Sequence, residues 1–198
     1  MEYLIISGSP KKDGLCRSVT EAVKNGAEAG GTTVKLMTVE NLGRCRVCDG
    51  GWGICKVNHV CTFGEDGFSE AQKAVHAADL LCFITPVYWA EMAESLKCFI
   101  DRLRRCEFDM PWQPRLPNEK GALFGKQVLL IASAGGSGNG LLPCLEQMDR
   151  FCRHTGALIF DYFGINRWNC DYKKQAVYSA AKAMADGRKN GESISISR

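Results

Sequence analysis

Met1-Glu2-Tyr3-Leu4-Ile5-Ile6-Ser7-Gly8-Ser9-Pro10-Lys11-Lys12-Asp13-Gly14 is the stretch that decides the fold. The apolar run Leu4-Ile5-Ile6 reads as a buried strand, and Ser7-Gly8-Ser9-Pro10 reads as the turn that ends it. Beyond Gly14, the residues Leu15, Val19, Ala22, Val23 and Gly26 recur at helical spacing until Gly30-Gly31 stops the helix. A buried strand, a Ser/Gly turn and a helix N-terminus together make an anion site. The first helical N–H groups lack intrahelical partners, and the macrodipole favours negative charge beside them.

Outward from this unit the same rhythm repeats. Thr32 to Val39 alternates as a strand, Phe68, Ala71, Val75 and Ala78 mark a helix, and Leu80 to Thr85 is an apolar strand closing at Pro86. Met92, Leu96, Phe99, Ile100 and Leu103 form one helical face. Gln127 to Ser133 is a fourth strand, running into Ala134-Gly135-Gly136-Ser137-Gly138-Asn139-Gly140. A helix through Leu141, Leu145, Met148 and Cys152 follows, with Pro143 tolerated in its first turn. Ala157 to Ile165 is the fifth strand, and Ala176, Val177, Ala180 and Met184 mark the last helix.

Alternating strands and helices predict an α/β protein of three layers, with a five-stranded parallel sheet covered on both faces. Right-handed crossovers favour a doubly wound sheet of order 2-1-3-4-5, the flavodoxin-like arrangement. The 198 residues are read as one domain, 1–198. It carries a Cys-rich insertion at about 43–67 and a Pro-rich loop at about 107–124, with Pro111, Pro114 and Pro117. In such a sheet, ligands bind outside the carboxyl ends of the strands. The loops SGSPKKDG, TPVYWAEM and SAGGSGNG would therefore meet in one crevice.

Composition narrows the classes. A net charge of +3, with basic residues scattered along the chain, argues against a nucleic-acid partner. Arg102, Arg104 and Arg105 fall late on a predicted helix and read as a solvated helix end. No apolar stretch reaches the ~18–20 residues of a membrane span. The chain opens directly into a strand, without a signal sequence. With eleven cysteines and no secretory signal, a reducing, cytoplasmic location is expected, without a disulfide framework. Cys82, Cys98, Cys144 and Cys152 read as core residues. His59, His76 and His154 read as isolated from carboxylates and nucleophiles.

The first turn has neither G-x-G-x-x-G nor G-x-x-x-x-G-K-S/T. The remaining hydroxyl-rich loop suits one terminal phosphate, such as that of flavin mononucleotide (FMN). Tyr88-Trp89 after Pro86 offers aromatic surface to a planar ring, and the glycine run lets backbone approach a ring edge. Cys45-x2-Cys48-x6-Cys55-x5-Cys61, in the aperiodic insertion, is a candidate soft-metal ligand set.

In these features the chain resembles the NADPH-dependent FMN reductase family of flavodoxin-like proteins, whose branches include iron–sulfur flavoproteins. The resemblance is carried by GSPKKDG, by TPVYW with Leu96-Lys97-Cys98-Phe99-Ile100-Asp101-Arg102, and by Gly125-Lys126 with the glycine turn beyond. It implies that Ser7, Ser9, Pro10, Lys11, Cys16 and Ser18 hold the FMN phosphate and ribityl chain. Pro86, Val87, Tyr88 and Trp89 would flank the isoalloxazine, and Ala134, Gly135 and Gly136 would run along its pyrimidine side. Cys16 stands where the family usually has Thr, and Lys11 where it usually has Arg. Asp101-Arg102 reads as a surface pair that at most braces a loop below the flavin.

The implied activity is reduction of bound FMN by NAD(P)H, with electrons passed to flavin, quinone or another small-molecule acceptor. The alternative is an iron–sulfur flavoprotein or flavodoxin-like carrier serving a protein partner. A homodimer or tetramer is expected, with Met110, Trp112, Leu116 and Phe124 at the contact. Iron–sulfur flavoproteins carry four cysteines at the place of Cys45, Cys48, Cys55 and Cys61, with two residues between the second and third instead of six. A [4Fe–4S] cluster, a loop of reduced thiols and a zinc site all stay open for them.

Overall fold

The computed structural model describes residues 1–107 and 121–189. Most of the Pro-rich loop, including Met110, Trp112 and Leu116, lies outside them. The parallel sheet is built from β1 (Glu2–Ser7), β2 (Thr33–Thr38), β3 (Leu80–Tyr88), β5 (Gln127–Ala134) and β6 (Leu158–Asn166). Its order is β2-β1-β3-β5-β6, the predicted doubly wound arrangement. One further strand is new. β4 (Glu91–Met92) folds back antiparallel on the end of β3, pairing Met92 with Val87 and Glu91 with Tyr88. β3 consequently runs two residues past Pro86, because this ribbon extends it.

The central strands are apolar on both faces because helices cover both. On one side Tyr3, Ile5, Cys82 and Ile131 meet α1 (Leu15–Ala29) and α6 (Cys170–Lys189), through Val19, Val23, Val177 and Met184. A Cβ at Gly26 would fall 2.3 Å from the Tyr178 carbonyl oxygen, so α1 and α6 touch backbone to backbone there. The other side packs Leu4, Ile6, Phe83 and Leu130 against α3 (Phe68–Ala77), α4 (Glu94–Glu107) and α5 (Leu141–His154). Phe83 meets Phe151 edge-on at 5.8 Å between centroids. Burying side chains of this size stabilises by ~1.5–3 kcal/mol each. Cys82, Cys98, Cys144 and Cys152 are core residues, as expected.

Among the described residues, no helix is long and apolar enough to cross a membrane. The insertion after β2 has more structure than its aperiodic sequence suggests: a short 3-10 turn at Cys48–Gly51 and one helical turn, α2 (Cys55–Asn58).

Candidate functional site: a crevice at the carboxyl edge of the sheet

The loop after β1 is tied to the strand and helix beside it. Gly8 N–H donates to the Ile84 carbonyl at 2.9 Å, and Ser95 Oγ, on the first turn of α4, donates to the Gly8 carbonyl at 2.6 Å. Within the loop, Ser9 N–H donates to Ser7 Oγ and Lys11 N–H to Ser9 Oγ, each at 3.3 Å. The Ser7 hydroxyl thereby keeps its own proton for an acceptor. α1 then begins after Gly14 with no side-chain cap and no acidic residue in its first turn. A helix that supplies no anion of its own leaves its N–H groups and dipole to an outside one.

The loop lies between two openings that share Pro10 and Glu40. One, of about 380 Å³, is lined by Ser7, Ser9, Lys11, Lys12 and Arg17, with Thr38 of β2. The other, of about 450 Å³, is lined by Leu42, Arg44, Tyr88, Ser95 and Cys98. Three cations against Glu40 give the first a positive field suited to phosphate. Across the crevice Ala134 is buried, while a side chain at Gly135 or Gly136 would meet no atom within 4 Å. That leaves a bare backbone shelf.

Residues 1–169 match the family described as NADPH-dependent FMN reductase. The chain belongs to that family. YwqN of Bacillus subtilis (strain 168), named as an NAD(P)H-dependent FMN-containing oxidoreductase, is 25% identical over 158 residues, 79% of this chain and 80% of that protein. An iron-sulfur flavoprotein of Archaeoglobus fulgidus is 26% identical over 137 residues, 68% of this chain but only 56% of its relative. Two solved structures share the fold. An NADH:FMN oxidoreductase (EMOB) superposes with a TM-score of 0.63 at 19% identity, over 93% of this chain and 88% of that one. FerB, an NAD(P)H:(acceptor) oxidoreductase of Paracoccus denitrificans, superposes at 0.64 and 15% identity, over 96% and 97%. This FMN reductase family member is an oxidoreductase that uses FMN and a reduced nicotinamide.

Within the family member, the predicted residues fall into three positions. Ser7, Ser9, Pro10 and Lys11 line the first opening. Cys16 sits behind them, buried, with its thiol hydrogen-bonded to Ser133 and Ser9; burial pushes that thiol up and the two hydroxyls offset part of the rise. Ser18 Oγ donates back to the Leu15 carbonyl, a contact inside α1. Pro86 and Val87 are half-buried at the end of β3, Tyr88 lines the second opening, and Trp89 is 99% exposed. Ser95, Ser133 and Thr85, whose Oγ1 accepts from Ala93 N–H at 2.9 Å, were missed. Each is an ordinary hydroxyl in sequence, and only the tertiary contact singles it out.

The insertion brings Cys45, Cys48, Cys55 and Cys61 around one cavity of about 50 Å³, together with Arg46 and Arg105. Burial, then the neighbouring Cys61 and Cys45, pushes the Cys55 thiol up. Among the described residues, no three His, Cys, Asp or Glu side chains surround one point closely enough for a single metal ion. Mononuclear zinc would require that.

Arg102 corrects the sequence reading. It is 2% exposed and bonds Asp66, not its neighbour Asp101, which pairs with Lys97. Its Nη1 donates to Asp66 Oδ2 at 2.5 Å and to the Gly43 carbonyl at 3.2 Å, and its Nη2 donates to the Phe63 carbonyl at 3.0 Å. It also hydrogen-bonds the Cys61 thiol, and Phe68 lies against its face at 4.1 Å. One turn on, Arg105 donates to the Gly51 carbonyl at 2.9 Å. Arg102 and Arg105 therefore hold the insertion and are not simply a solvated helix end. His76 is corrected too: its Nε2 lies 3.0 Å from Oε1 of buried Glu107.

Proposed function

We propose that this FMN-dependent oxidoreductase takes electrons from NAD(P)H and delivers them to a free flavin, a quinone or another small planar acceptor. The observation that carries the reading is the open crevice, with one anion cradle and no second nucleotide fingerprint in the chain. Donor and acceptor would then take turns at one exposed face. Ser7 and Ser9 hydroxyls, the first-turn N–H groups of α1 and Lys11 would hold the phosphate of FMN. Pro86, Val87 and Tyr88 on one side, and Ala134, Gly135 and Gly136 on the other, would flank its ring. FMN, when bound, supplies the capacity to accept a hydride and release two electrons. The protein's part is to orient that ring by ties that are mostly backbone and to leave one face accessible.

Anaerobic stopped-flow tests this. NADPH or NADH should bleach the flavin band within seconds, and menadione should restore it. A flavin that neither nucleotide reduces would refute the donor assignment. A flavin reduced by nucleotide but reoxidised only by a protein carrier would refute the acceptor assignment.

A specific observation favours a second redox group: four cysteines converge on one cavity beside a buried guanidinium. Arg102 lies beside Cys61, and among the described residues its buried Nε–H has no acceptor. Cys45, Cys48, Cys55 and Cys61 would hold a [4Fe–4S] cluster there. Anaerobic purification followed by analysis should find about four iron and four sulfide per chain; neither element would leave reduced thiols as the reading.

A further inference from the structure

Gly8 and Ser9 share one planar peptide unit, and both of its polar groups are engaged. Ser95 Oγ, on the first turn of α4, donates to the Gly8 carbonyl at 2.6 Å, across 87 positions of chain. On the opposite edge of that plane, Ser9 N–H donates to Ser7 Oγ at 3.3 Å. A trans peptide carries its C=O and its N–H in opposite directions, so whatever fixes one aims the other. The Gly8 N–H is engaged as well, on the Ile84 carbonyl at 2.9 Å. The loop is thus held at this point from both β3 and α4.

The approach to α4 is close enough to exclude a side chain. A Cβ at Gly8 would fall 2.7 Å from Leu96 Cβ and 3.4 Å from Ser95 Oγ. Glycine lets the loop lie against the helix here, and the same missing Cβ would let the following peptide rotate. The start of α4 is itself fixed to the end of β3, where Ala93 N–H donates to Thr85 Oγ1 at 2.9 Å. Ser95 is therefore presented from a rigid element. Serine hydroxyls commonly bond the backbone of their own turn, whereas this one reaches out of its helix to the loop after β1.

We propose that Ser95 is a positioning residue for the phosphate of FMN, a latch that sets the orientation of the Gly8–Ser9 peptide. The inference rests on the reading of the loop after β1 as the phosphate cradle. With the latch closed, the carbonyl faces α4 and Ser9 N–H faces Ser7 Oγ, which leaves the Ser7 proton for an anion. Without the Ser95 hydroxyl, the Gly8 carbonyl loses this donor, and rotation of the peptide turns its oxygen toward Ser7. The Ser7 proton then goes to that carbonyl, and a partial negative charge stands where a phosphate oxygen would come. The effect falls on the phosphate and not on the ring.

Ser95→Ala removes the hydroxyl, and Ser95→Thr keeps it. Titration of apoprotein with FMN and with riboflavin, which lacks the phosphate, separates the two halves of the cofactor. In Ser95→Ala, FMN affinity should fall about tenfold, the scale of one hydrogen bond whose partner is left stranded. Riboflavin affinity should stay within about twofold, and Ser95→Thr should hold FMN within about threefold of the parent. Amide exchange at Ser9, followed by NMR in apoprotein, reads the latch without any cofactor and should quicken in Ser95→Ala but not in Ser95→Thr.

Equal losses of FMN and riboflavin in Ser95→Ala would overturn the proposal, because a general support of the site lowers both. So would unchanged exchange at Ser9, or a Ser95→Thr protein as weak for FMN as Ser95→Ala. A parent that bound riboflavin as tightly as FMN would refute the phosphate reading itself, and the proposal with it. Quickened exchange at Ser9 with unchanged FMN affinity would do the same, since the latch would then have no phosphate to serve.

Discussion

The crevice and the Cys-rich insertion lie at the same edge of the sheet but are held by opposite means. The crevice is stitched largely by backbone: Gly8 to Ile84, Ser95 to the Gly8 carbonyl, and Gly140 against Ala90. The insertion is held by side chains projecting from α4, above all Arg102 and Arg105. Its own backbone resists the shape, with Val47, Asp49 and His59 all at positive φ, a conformation costly for a β-branched residue such as valine. Backbone ties survive most substitutions, whereas a loop hung on one guanidinium fails when that group is lost. α4 joins the two regions, with Ser95 at the phosphate loop and Arg102 under the insertion.

The largest expected effect comes from cutting the side-chain hold. Arg102→Met removes the guanidinium from Asp66 and from the Gly43 and Phe63 carbonyls in a mostly buried site. It should lower stability by about 3–5 kcal/mol, read from the urea midpoint. Titration with a thiol reagent should then find Cys45, Cys55 and Cys61 reacting faster than in the parent, while FMN binding changes little. Equal loss of FMN and of thiol protection would mean that the two regions form one unit and would break the comparison.

Next is the crevice. Ser9→Asp sets a carboxylate where the phosphate of FMN would lie, and like charges at that distance oppose each other strongly. FMN affinity should fall by at least a hundredfold, about 2.7 kcal/mol, with no change in urea midpoint of the apoprotein. Fluorescence titration of FMN into apoprotein measures this. Retention of stoichiometric FMN would show that the loop after β1 is not the phosphate site.

The same contrast governs what could be read before the structure was known. Strand order and the meeting of the three loops were legible because hydrophobic period and crossover handedness determine them. The turn at Trp89-Ala90 was not, since β4 is two residues long and Trp-Ala gives no hairpin signal. Arg102 was misread because its partners, Gly43, Phe63 and Asp66, lie some forty to sixty residues earlier in the chain. Periodicity placed it on a helix but said nothing of the insertion folding over that face. His76 was misread for the same reason, its partner Glu107 being on another element.

Glu107 sharpens the comparison through pH. It ends α4, is buried, and is met by His76 Nε2, by Gln72 Nε2 at 2.9 Å and by Ala122 N–H at 2.7 Å, with Lys126 near enough to feel its charge. Burial opposes its ionisation, yet these hydrogen bonds outweigh burial and hold the carboxyl below its ordinary 4.5. A depressed carboxylate stabilises above its unfolded value, and the contribution is lost as pH falls through the folded one. Wild type should therefore exceed Glu107→Gln in urea midpoint at about pH 5, and the margin should close as pH falls below about 4.5. Asp66, held low as well, is common to both proteins and cancels from the difference. A margin that widened between about pH 5 and about pH 4 would mean that the carboxyl is protonated in the folded protein.

The smallest effect is expected where a crevice residue is only a neighbour of the site. Cys16 is buried on the first turn of α1, and its thiol is already shared between Ser133 and Ser9. Burial pushes the thiol up, so it stays neutral near pH 7 and presents no negative charge toward a phosphate. Cys16→Thr, the residue usual in the family, exchanges one neutral hydrogen-bonding group for another in the same shell. FMN affinity should move by no more than about threefold, within the worth of one neutral hydrogen bond. A tightening of tenfold or more would mean that position 16 reaches the phosphate directly and that this chain lacks a donor its relatives possess. A threefold or smaller change confirms that Ser7, Ser9 and the backbone of the turn suffice, which is what a site set by backbone predicts.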